Sequence, residues 1–175
     1  MFAEPKLARS IIFAKNHYFA IRDDAEGESN FVLPLLAHKV ERRGDHFFCR
    51  GRLGLDVLIY PLGKEPAKTE VSTDPLLNQQ KLVMTRKDGD DHLNLIYWSE
   101  PGGKPLEIKP FGPGYHVKGP GFEDYLFLTA EPVKLREGQL AFEGRAGLIR
   151  LGGPKPQLLL FDGTRIEWAG KAVTR

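Results

Sequence analysis

The sequence has little of what metal sites and nucleophilic active sites are commonly built from. Its single cysteine, Cys49, excludes an internal disulfide and a cysteine-based zinc site. The spacings H-x-H, HExxH and CxxC are missing, so neighbouring residues do not provide a zinc site. No serine lies in a nucleophile-elbow context, and no glycine-rich loop precedes a helix to hold phosphate. These absences argue against hydrolase and nucleotide-binding functions, and we expect no metal and no cofactor in this chain.

A strong net charge and long apolar runs are also missing. The formal net charge is +2 and basic residues alternate with acidic ones, which argues against nucleic acid as a partner. No apolar run approaches the roughly 20 residues that span a bilayer, so we expect no membrane association. The N-terminal segment MFAEPKLARS has no hydrophobic signal core, so export would need a signal upstream of it. A local basic patch is suggested only by a group of arginines that are close in sequence, namely Arg42, Arg43, Arg50 and Arg52.

Windows for helices are scarce, because 19 glycines and 13 prolines are spread along the chain. What recurs is alternation of apolar and polar residues over short segments bounded by turn residues. Around fifteen such segments predict an all-β protein with little or no helix: an antiparallel, multi-stranded, supersandwich-like β-sandwich forming a single domain over residues 1–175. One brief helical turn is expected after Asp74, which would cap it, with Pro75 in the first helical position.

Several short segments predict a particular turn or strand position. The Asp-Gly steps at Asp88-Gly89 and Asp162-Gly163 predict hairpin turns. Pro34 cannot donate to a strand ladder and predicts an edge strand or a bulge. The segment QLLLFDG, residues 157–163, is apolar on both faces and is expected inside packed layers, whereas VKLREG, residues 133–138, should turn one face to water.

The polar stretch FAKNHYFAIRDDAEGE, residues 13–28, contains the most conspicuous carboxylate pair. Asp23 and Asp24 are adjacent, so in a strand they point to opposite faces and cannot form an acid–base dyad. We expect them to cap the next turn or to pair with Arg22 or Arg9. A calcium site is the weaker alternative, because it would need further oxygen ligands such as those of Glu26 and Glu28.

Single imidazoles, thiols and aromatic rings are expected to be structural more often than functional. Cys49 and His38 each lie in or at the end of an apolar run, which favours a buried thiol and a buried, hydrogen-bonded imidazole. The aromatics offer a second interpretation, because flat rings can carry pyranose sugars: Tyr97-Trp98, Tyr115-His116 and Trp168 are the candidates. Core packing is the competing interpretation, and in a strand Tyr97 and Trp98 face opposite ways.

Four ordered motifs resemble one known family. They are IIFAKNHYFAIRDD, then FVLPLLAHKV, then HLNLIYWSEPGGKP, and finally GFEDYLFLTAEPVKLREGQLAFEGRAGLIRL. Their order and character resemble the C-terminal β-sheet region of heparinase II/III-like polysaccharide lyases. The chain departs from that pattern at Phe31-Val32-Leu33-Pro34, where the family often has a tryptophan.

The resemblance implies a fold and a general role, but no catalytic residue. Such lyases join an N-terminal helical toroid to C-terminal sheets, and nothing here matches the toroid or the catalytic Tyr and His segments. We therefore expect a non-catalytic, carbohydrate-associated β-sandwich domain that contacts an acidic polysaccharide or oligosaccharide. A periplasmic or secreted location follows only if the resemblance holds and a signal lies upstream. The residues expected to contact carbohydrate are Arg22, His38, Tyr60, Tyr97, Trp98, Tyr115 and His116.

Two alternatives remain open. One is a polysaccharide lyase, acting by β-elimination on a uronic-acid-containing glycan, whose site is built from His38, Tyr60, Tyr97 and Arg22. Those side chains would have to converge on one cleft. The other is a structural module in which a sheet face docks against a helical partner domain.

Overall fold

The structure, a computed structural model, describes residues 7–87 and 89–175. Within these ranges it contains fifteen strands and no helix, which confirms the all-β prediction. None of the described residues belongs to a helix with the length and apolar character needed to cross a bilayer. The chain divides into two compact units, Met1–Gly103 and Lys104–Arg175. That these units form one domain stays a prediction.

The first unit contains two antiparallel sheets. A six-stranded sheet has the order β1-β2-β9-β6-β5-β4, and a three-stranded sheet has the order β3-β8-β7. The strands in chain order are β1 (Leu7–Ala14), β2 (Tyr18–Ala25), β3 (Ser29–Leu35), β4 (Ala37–Arg43), β5 (His46–Gly51), β6 (Asp56–Leu62), β7 (Lys68–Asp74), β8 (Gln79–Arg86) and β9 (His92–Ser99).

The core of the first unit lies between its two sheets. Alternate residues of each strand point inward, so the larger sheet contributes Phe47, Cys49 and Ile59. The smaller sheet contributes Phe31, Leu82 and Met84 to the same cluster. Cys49 is buried as predicted, and burial, with a smaller effect from the charge of Asp56, raises the pKa of its thiol to about 12.

Two local predictions in the first unit are confirmed. Pro34 lies on β3, an edge strand of the three-stranded sheet, which is where strands tolerate a residue without an N–H. Asp74 caps the segment that follows it, because one of its carboxylate oxygens accepts hydrogen bonds from the backbone N–H groups of Leu76 and Leu77 at 3.0 and 3.1 Å. The capped segment is a hydrogen-bonded turn between β7 and β8 rather than a helix.

The second unit contains one six-stranded antiparallel sheet whose strands follow chain order. Its core is a cluster that includes Phe127, Phe142, Ile149 and Ile166. The rings of Phe127 and Phe142 stack with their centroids 4.3 Å apart. The strands are β10 (Glu107–Phe111), β11 (Gly114–Gly119), β12 (Phe122–Glu137), β13 (Leu140–Leu151), β14 (Gln157–Trp168) and β15 (Lys171–Thr174).

This sheet bends so that its two halves face each other. Phe127 pairs with Gly147 and Phe142 pairs with Leu135, so the two stacked rings belong to different halves of the sheet. The ladder is irregular at the bend, between Leu128 and Val133 on β12 and again along β13. Bulges of this kind bend strands and let a single sheet enclose a core.

Two sequence-based predictions are wrong in the second unit. Asp162-Gly163 forms no hairpin, because it lies inside β14 opposite the irregular part of β13, where Gly163 pairs with Gly144 at the bend. The segment 157–163 is not interior either, since Leu159 and Phe161 are 41% and 43% exposed. The reason is that only alternate residues of this segment, Leu158 and Leu160, pack into the core cluster, so Leu159 and Phe161 lie on the opposite face of β14.

The remaining turn and strand predictions have mixed outcomes. Lys134 and Arg136 are exposed while Val133 and Leu135 are half-buried, so VKLREG turns one face to water as predicted. Asp88, the first residue of the other predicted Asp-Gly turn, lies outside the described residues. Its neighbour Gly89 has a φ of 76°, which glycine adopts without steric cost.

Candidate functional site

The carboxylates of Asp23 and Asp24 are used in ion pairs. Arg9, the direct cross-strand neighbour of Asp23, donates through Nε and Nη2 to its two oxygens at 2.6 Å each. The hydrogen bond to Asp23 raises the pKa of Arg9. Asp24 accepts a hydrogen bond from Arg22 at 2.7 Å, so the pairing interpretation is confirmed. Residues 7–87 and 89–175 contain no group of three or more His, Cys, Asp or Glu placed to hold a metal ion.

Three of the predicted sugar-contacting residues share one face of the six-stranded sheet. In register, Arg22 lies opposite Leu93, Tyr60 opposite Leu95, and Tyr97 opposite Tyr18. All three side chains are buried, with Arg22 and Tyr97 7% exposed and Tyr60 1% exposed. Burial also raises the pKa of Tyr97. The structure therefore brings these residues to one face, but it does not present them to solvent.

Trp98 points to the opposite face from Tyr97, as the strand period predicts. Its ring is 5.4 Å from that of Phe19 and 6.4 Å from that of Phe13. The two phenylalanine rings stack at 4.6 Å, and Phe13 is 52% exposed. Trp98 thus belongs to an aromatic cluster at one side of the first unit, whose phenylalanine members come from the hairpin of β1 and β2.

In the second unit, Tyr115 and His116 point to opposite faces of β11 and do not form a joint platform. The His116 ring stacks on Tyr125 at 4.7 Å, and its Nε2 atom lies 2.8 Å from a carboxylate oxygen of Glu123. Tyr125 also lies 5.3 Å from Trp168. Tyr125, which sequence reasoning missed, is the residue that joins His116 to Trp168, and only the strand register reveals it.

His38 is placed differently from the expectation of a buried, hydrogen-bonded imidazole. It is exposed, and within the described residues its side chain makes no hydrogen bond or ion pair. It lines an open groove with a volume of about 800 Å³ in the first unit. We call this the His38 groove, and its described lining consists of His38, Arg43, Phe48, Arg50, Gly51, Asp56, Pro101 and Gly102. Arg22, Tyr60 and Tyr97 are not part of that lining.

A β-bulge explains why His38 points to solvent. Ala37 pairs with Gly51 and Lys39 pairs with Arg50, so His38 is an extra residue on β4. In a regular strand Lys39 would follow Ala37 into the core, whereas the bulge turns both His38 and Lys39 outward. The bulge is held by Arg52, whose Nε donates to the Ala37 carbonyl at 3.1 Å.

One end of the His38 groove is fixed by a tight turn between β5 and β6. The buried carboxylate of Asp56 accepts a hydrogen bond from the backbone N–H of Gly51 at 3.3 Å. A Cβ atom on Gly51 would overlap the carbonyl oxygen of Leu55, so only glycine fits at this position. Asp56 therefore serves to hold the turn, and it is not free to act as an exposed acid or base.

The groove carries a guanidinium stacked on an aromatic ring. The Arg43 Cζ atom lies 3.7 Å from the centroid of the Phe48 ring, within the range of a cation–π contact. Arg43 also donates through Nε to Glu41 at 2.7 Å, and Lys39 pairs with the same carboxylate. Hydrogen bonds from Lys39 and then Arg43 lower the pKa of Glu41, so this carboxylate stays ionised in mildly acidic solution.

Arg50 is the least restrained charge in the groove. It is exposed on β5, and its side chain has no ion pair or hydrogen bond with any residue that the structure describes. Together with His38 it provides donors that are available to a ligand. The sequence indicated a basic patch here. Its four arginines differ in the strand face to which they point and in the groups with which they pair.

Of the four neighbouring arginines, only Arg43 and Arg50 enter the groove. Arg42 pairs with Glu65 through two bonds of 2.8 and 2.9 Å and lies over the ring of Phe47. Arg52 is occupied by backbone carbonyls, including that of Asn78 at 2.7 Å. The closeness of these arginines in sequence located the basic patch. Because successive side chains of a strand point to opposite faces, only some of the guanidinium groups face the groove.

Comparisons with known proteins found no matching family model, no matching curated protein and no matching solved structure. The resemblance to heparinase II/III-like lyases therefore rests on the sequence motifs alone.

Proposed function

We propose that this chain is a non-catalytic carbohydrate-associated β-sandwich domain that binds acidic polysaccharide or oligosaccharide in the His38 groove. We also propose that the domain is related to the C-terminal sheet region of heparinase II/III-like lyases, which its sequence motifs resemble. The observation that carries it is the presence of Arg50 and His38, both without side-chain partners among the described residues, beside the Arg43–Phe48 stack.

The chemistry of the groove suits an acidic sugar. A guanidinium group presents a planar set of N–H donors that matches the two oxygens of a carboxylate. The stack of Arg43 on Phe48 adds a flat surface beside these donors, on which a pyranose ring can lie. The groove is open, and its volume of about 800 Å³ gives room for more than one sugar unit.

The same lining favours binding over β-elimination. That reaction needs a base near C5, an acid at the leaving oxygen and a group that neutralises the carboxylate. The described lining supplies the neutralising cations and one imidazole, but the phenols of Tyr60 and Tyr97 lie outside it. Asp56 is buried and bonded to Gly51. These features support a binding role for the groove.

Replacing the unpaired arginine tests the proposal. We expect Arg50→Ala to weaken binding of an alginate hexasaccharide by roughly tenfold or more, because a hydrogen bond to a charged group contributes about 1.5–3 kcal/mol. Isothermal titration calorimetry at fixed ionic strength measures the effect. The matched control is Arg42→Ala, which removes the same charge from a residue that lies outside the groove lining and pairs with Glu65.

Two results would contradict the proposal. Equal losses from Arg50→Ala and Arg42→Ala would mean that the glycan responds only to total charge. Formation of unsaturated uronate by the purified chain, followed by its ultraviolet absorbance, would make the chain a lyase and overturn the non-catalytic assignment.

A further inference from the structure

We infer that the His38 groove selects glycans with isolated carboxylates over densely sulfated glycans, and that Glu41 determines this selectivity. The inference rests on the proposed function, because it concerns the same groove. It assigns a role to a carboxylate that is not itself in the groove lining.

Glu41 lies at the centre of the charges on the outward face of β4. Lys39, Glu41 and Arg43 alternate along that strand, so their side chains share a face. Glu41 lies directly opposite Phe48 in the strand register. It pairs with Lys39 on one side and with Arg43 on the other. One carboxylate thus holds two cations that would otherwise be available to a ligand.

The charges around the groove then nearly balance. Lys39, Arg43 and Arg50 are positive, Glu41 and the buried Asp56 are negative, and the loop residues Pro101 and Gly102 add none. Without His38, the sum is three positive and two negative groups. A ligand therefore meets one unpaired guanidinium rather than a cluster of cations.

This arrangement favours a glycan with one carboxylate per sugar over a glycan with several sulfates per disaccharide. One carboxylate of a uronate can bind Arg50 without approaching Glu41. A chain with several sulfates per disaccharide could gain further contacts only from Lys39 and Arg43, and Glu41 already neutralises part of their charge. Specificity commonly depends on such an element, which reduces the affinity for the wrong ligand while the attractive contacts to the right one remain. Because Lys39 and Arg43 lower the pKa of Glu41, this carboxylate stays ionised and continues to hold both cations in mildly acidic solution.

Neutralising Glu41 while keeping its shape tests the inference. Wild-type protein should bind an alginate hexasaccharide more tightly than a heparin hexasaccharide at equal ionic strength. We expect Glu41→Gln to raise the affinity for the heparin hexasaccharide by roughly fivefold or more, since it releases Lys39 and Arg43 to bind sulfate groups. Its affinity for the alginate hexasaccharide should change by less than about twofold. Isothermal titration calorimetry with both glycans measures the two effects.

The matched control is Glu65→Gln. It makes the same change in net charge, but it releases Arg42, which lies outside the groove lining. We expect it to leave both affinities unchanged. Glu41 lies on an edge strand with a partly exposed side chain, and Glu41→Thr, with a residue that strands favour, provides a second neutral variant.

The outcomes separate this inference from the proposed function. If wild-type protein binds neither glycan, the proposed function fails. If Arg50→Ala loses alginate binding but both Glu41 variants leave heparin binding unchanged, selectivity by Glu41 is wrong while the groove still binds glycan. A wild-type preference for heparin, or an equal gain from Glu65→Gln, also overturns the inference.

Discussion

The two units of this chain differ in how their strand arginines are partnered. In the second unit, the cations of the long strands are matched by carboxylates, as in Lys134–Glu143 at 2.7 Å and Arg145–Asp162 at 2.6 Å. In the first unit, Arg50 is exposed with no side-chain partner among the described residues. A guanidinium that is already paired with a carboxylate is less available to a ligand than the unpaired guanidinium of Arg50 in the groove. This difference is the reason that the proposed binding site is placed in the first unit.

The two units also enclose their hydrophobic cores in different ways. The first unit closes its core with two separate sheets, so its strands can remain short. The second unit has one sheet that must bend over itself, and it uses long strands with irregular pairing at the bend. The bend depends on the Gly144–Gly163 pair, whose backbones approach closely. A single substitution there should therefore damage the second unit more than an exposed glycine turn would.

The largest expected effect is from Gly163→Val. Its Cβ atom would lie 2.6 Å from the Gly144 Cα atom and would also overlap the Glu143 carbonyl oxygen. We expect a loss of roughly 3 kcal/mol or more in the free energy of unfolding, as for other large changes caused by overpacking and backbone strain. Urea unfolding followed by Trp168 fluorescence in a Trp98→Phe background reports this change in the second unit.

The control for that variant is Gly170→Ala. Gly170 has a φ of 78°, and no atom lies within 4 Å of a Cβ placed on it. Its cost should be only about 1 kcal/mol, from the left-handed backbone conformation. Similar losses from both variants would show that the close approach at Gly163 has no special importance for the bend.

The sequence predicted the class of fold well and the details of the second unit less well. Alternation and turn residues were enough to locate the strands, because burial of one sheet face imposes a period of two. They were not enough at Asp162-Gly163, where glycine serves a backbone contact between paired strands inside β14 rather than a turn. Local sequence does not distinguish these uses, because both need a residue without a side chain.

The candidate site was predicted only in part, and for a related reason. His38 and the cluster of arginines were recognised from sequence, but the bulge that exposes His38 depends on which residues pair across β4 and β5. Tyr60 and Tyr97 were candidates because they are aromatic, and the strand register places them on a buried face. Phe48 and Glu41 were missed, since their roles come from cross-strand contacts that the sequence does not contain.

A smaller effect is expected from titration of His92 in the first unit. This imidazole is buried, its Nε2 atom donates to the Ser29 carbonyl at 3.2 Å, and its ring lies 5.9 Å from that of Phe31. Burial lowers the pKa of His92 in the folded protein, so the unfolded chain binds a proton more readily. Stability should therefore fall as the pH drops below the ordinary histidine pKa of about 6.5.

The variant His92→Gln should flatten this dependence. Between pH 7.5 and about 5.5, most carboxylates keep their charge, so the slope of the unfolding free energy reports mainly on histidines. Urea unfolding followed by Trp98 fluorescence in a Trp168→Phe background measures that slope for the first unit. His38→Gln, a substitution of an exposed histidine in the same unit, is the control. An unchanged slope in His92→Gln would mean that its burial has no effect on the pH dependence.

The smallest effect on stability and binding is expected from breaking an ion pair in the second unit. Glu143→Gln removes the partner of Lys134, and both side chains are substantially exposed. Exposed ion pairs contribute little because solvent screens them, so the free energy of unfolding should change by less than about 1 kcal/mol.

Binding of the heparin hexasaccharide should stay within about twofold of wild type, since the released Lys134 has no neighbouring unpaired arginine comparable to Arg50. Calorimetry on this variant beside Glu41→Gln makes the comparison direct. An equal gain in heparin binding from Glu143→Gln and Glu41→Gln would show that any released surface cation increases the affinity. The difference between the two units would then have no bearing on where the glycan binds.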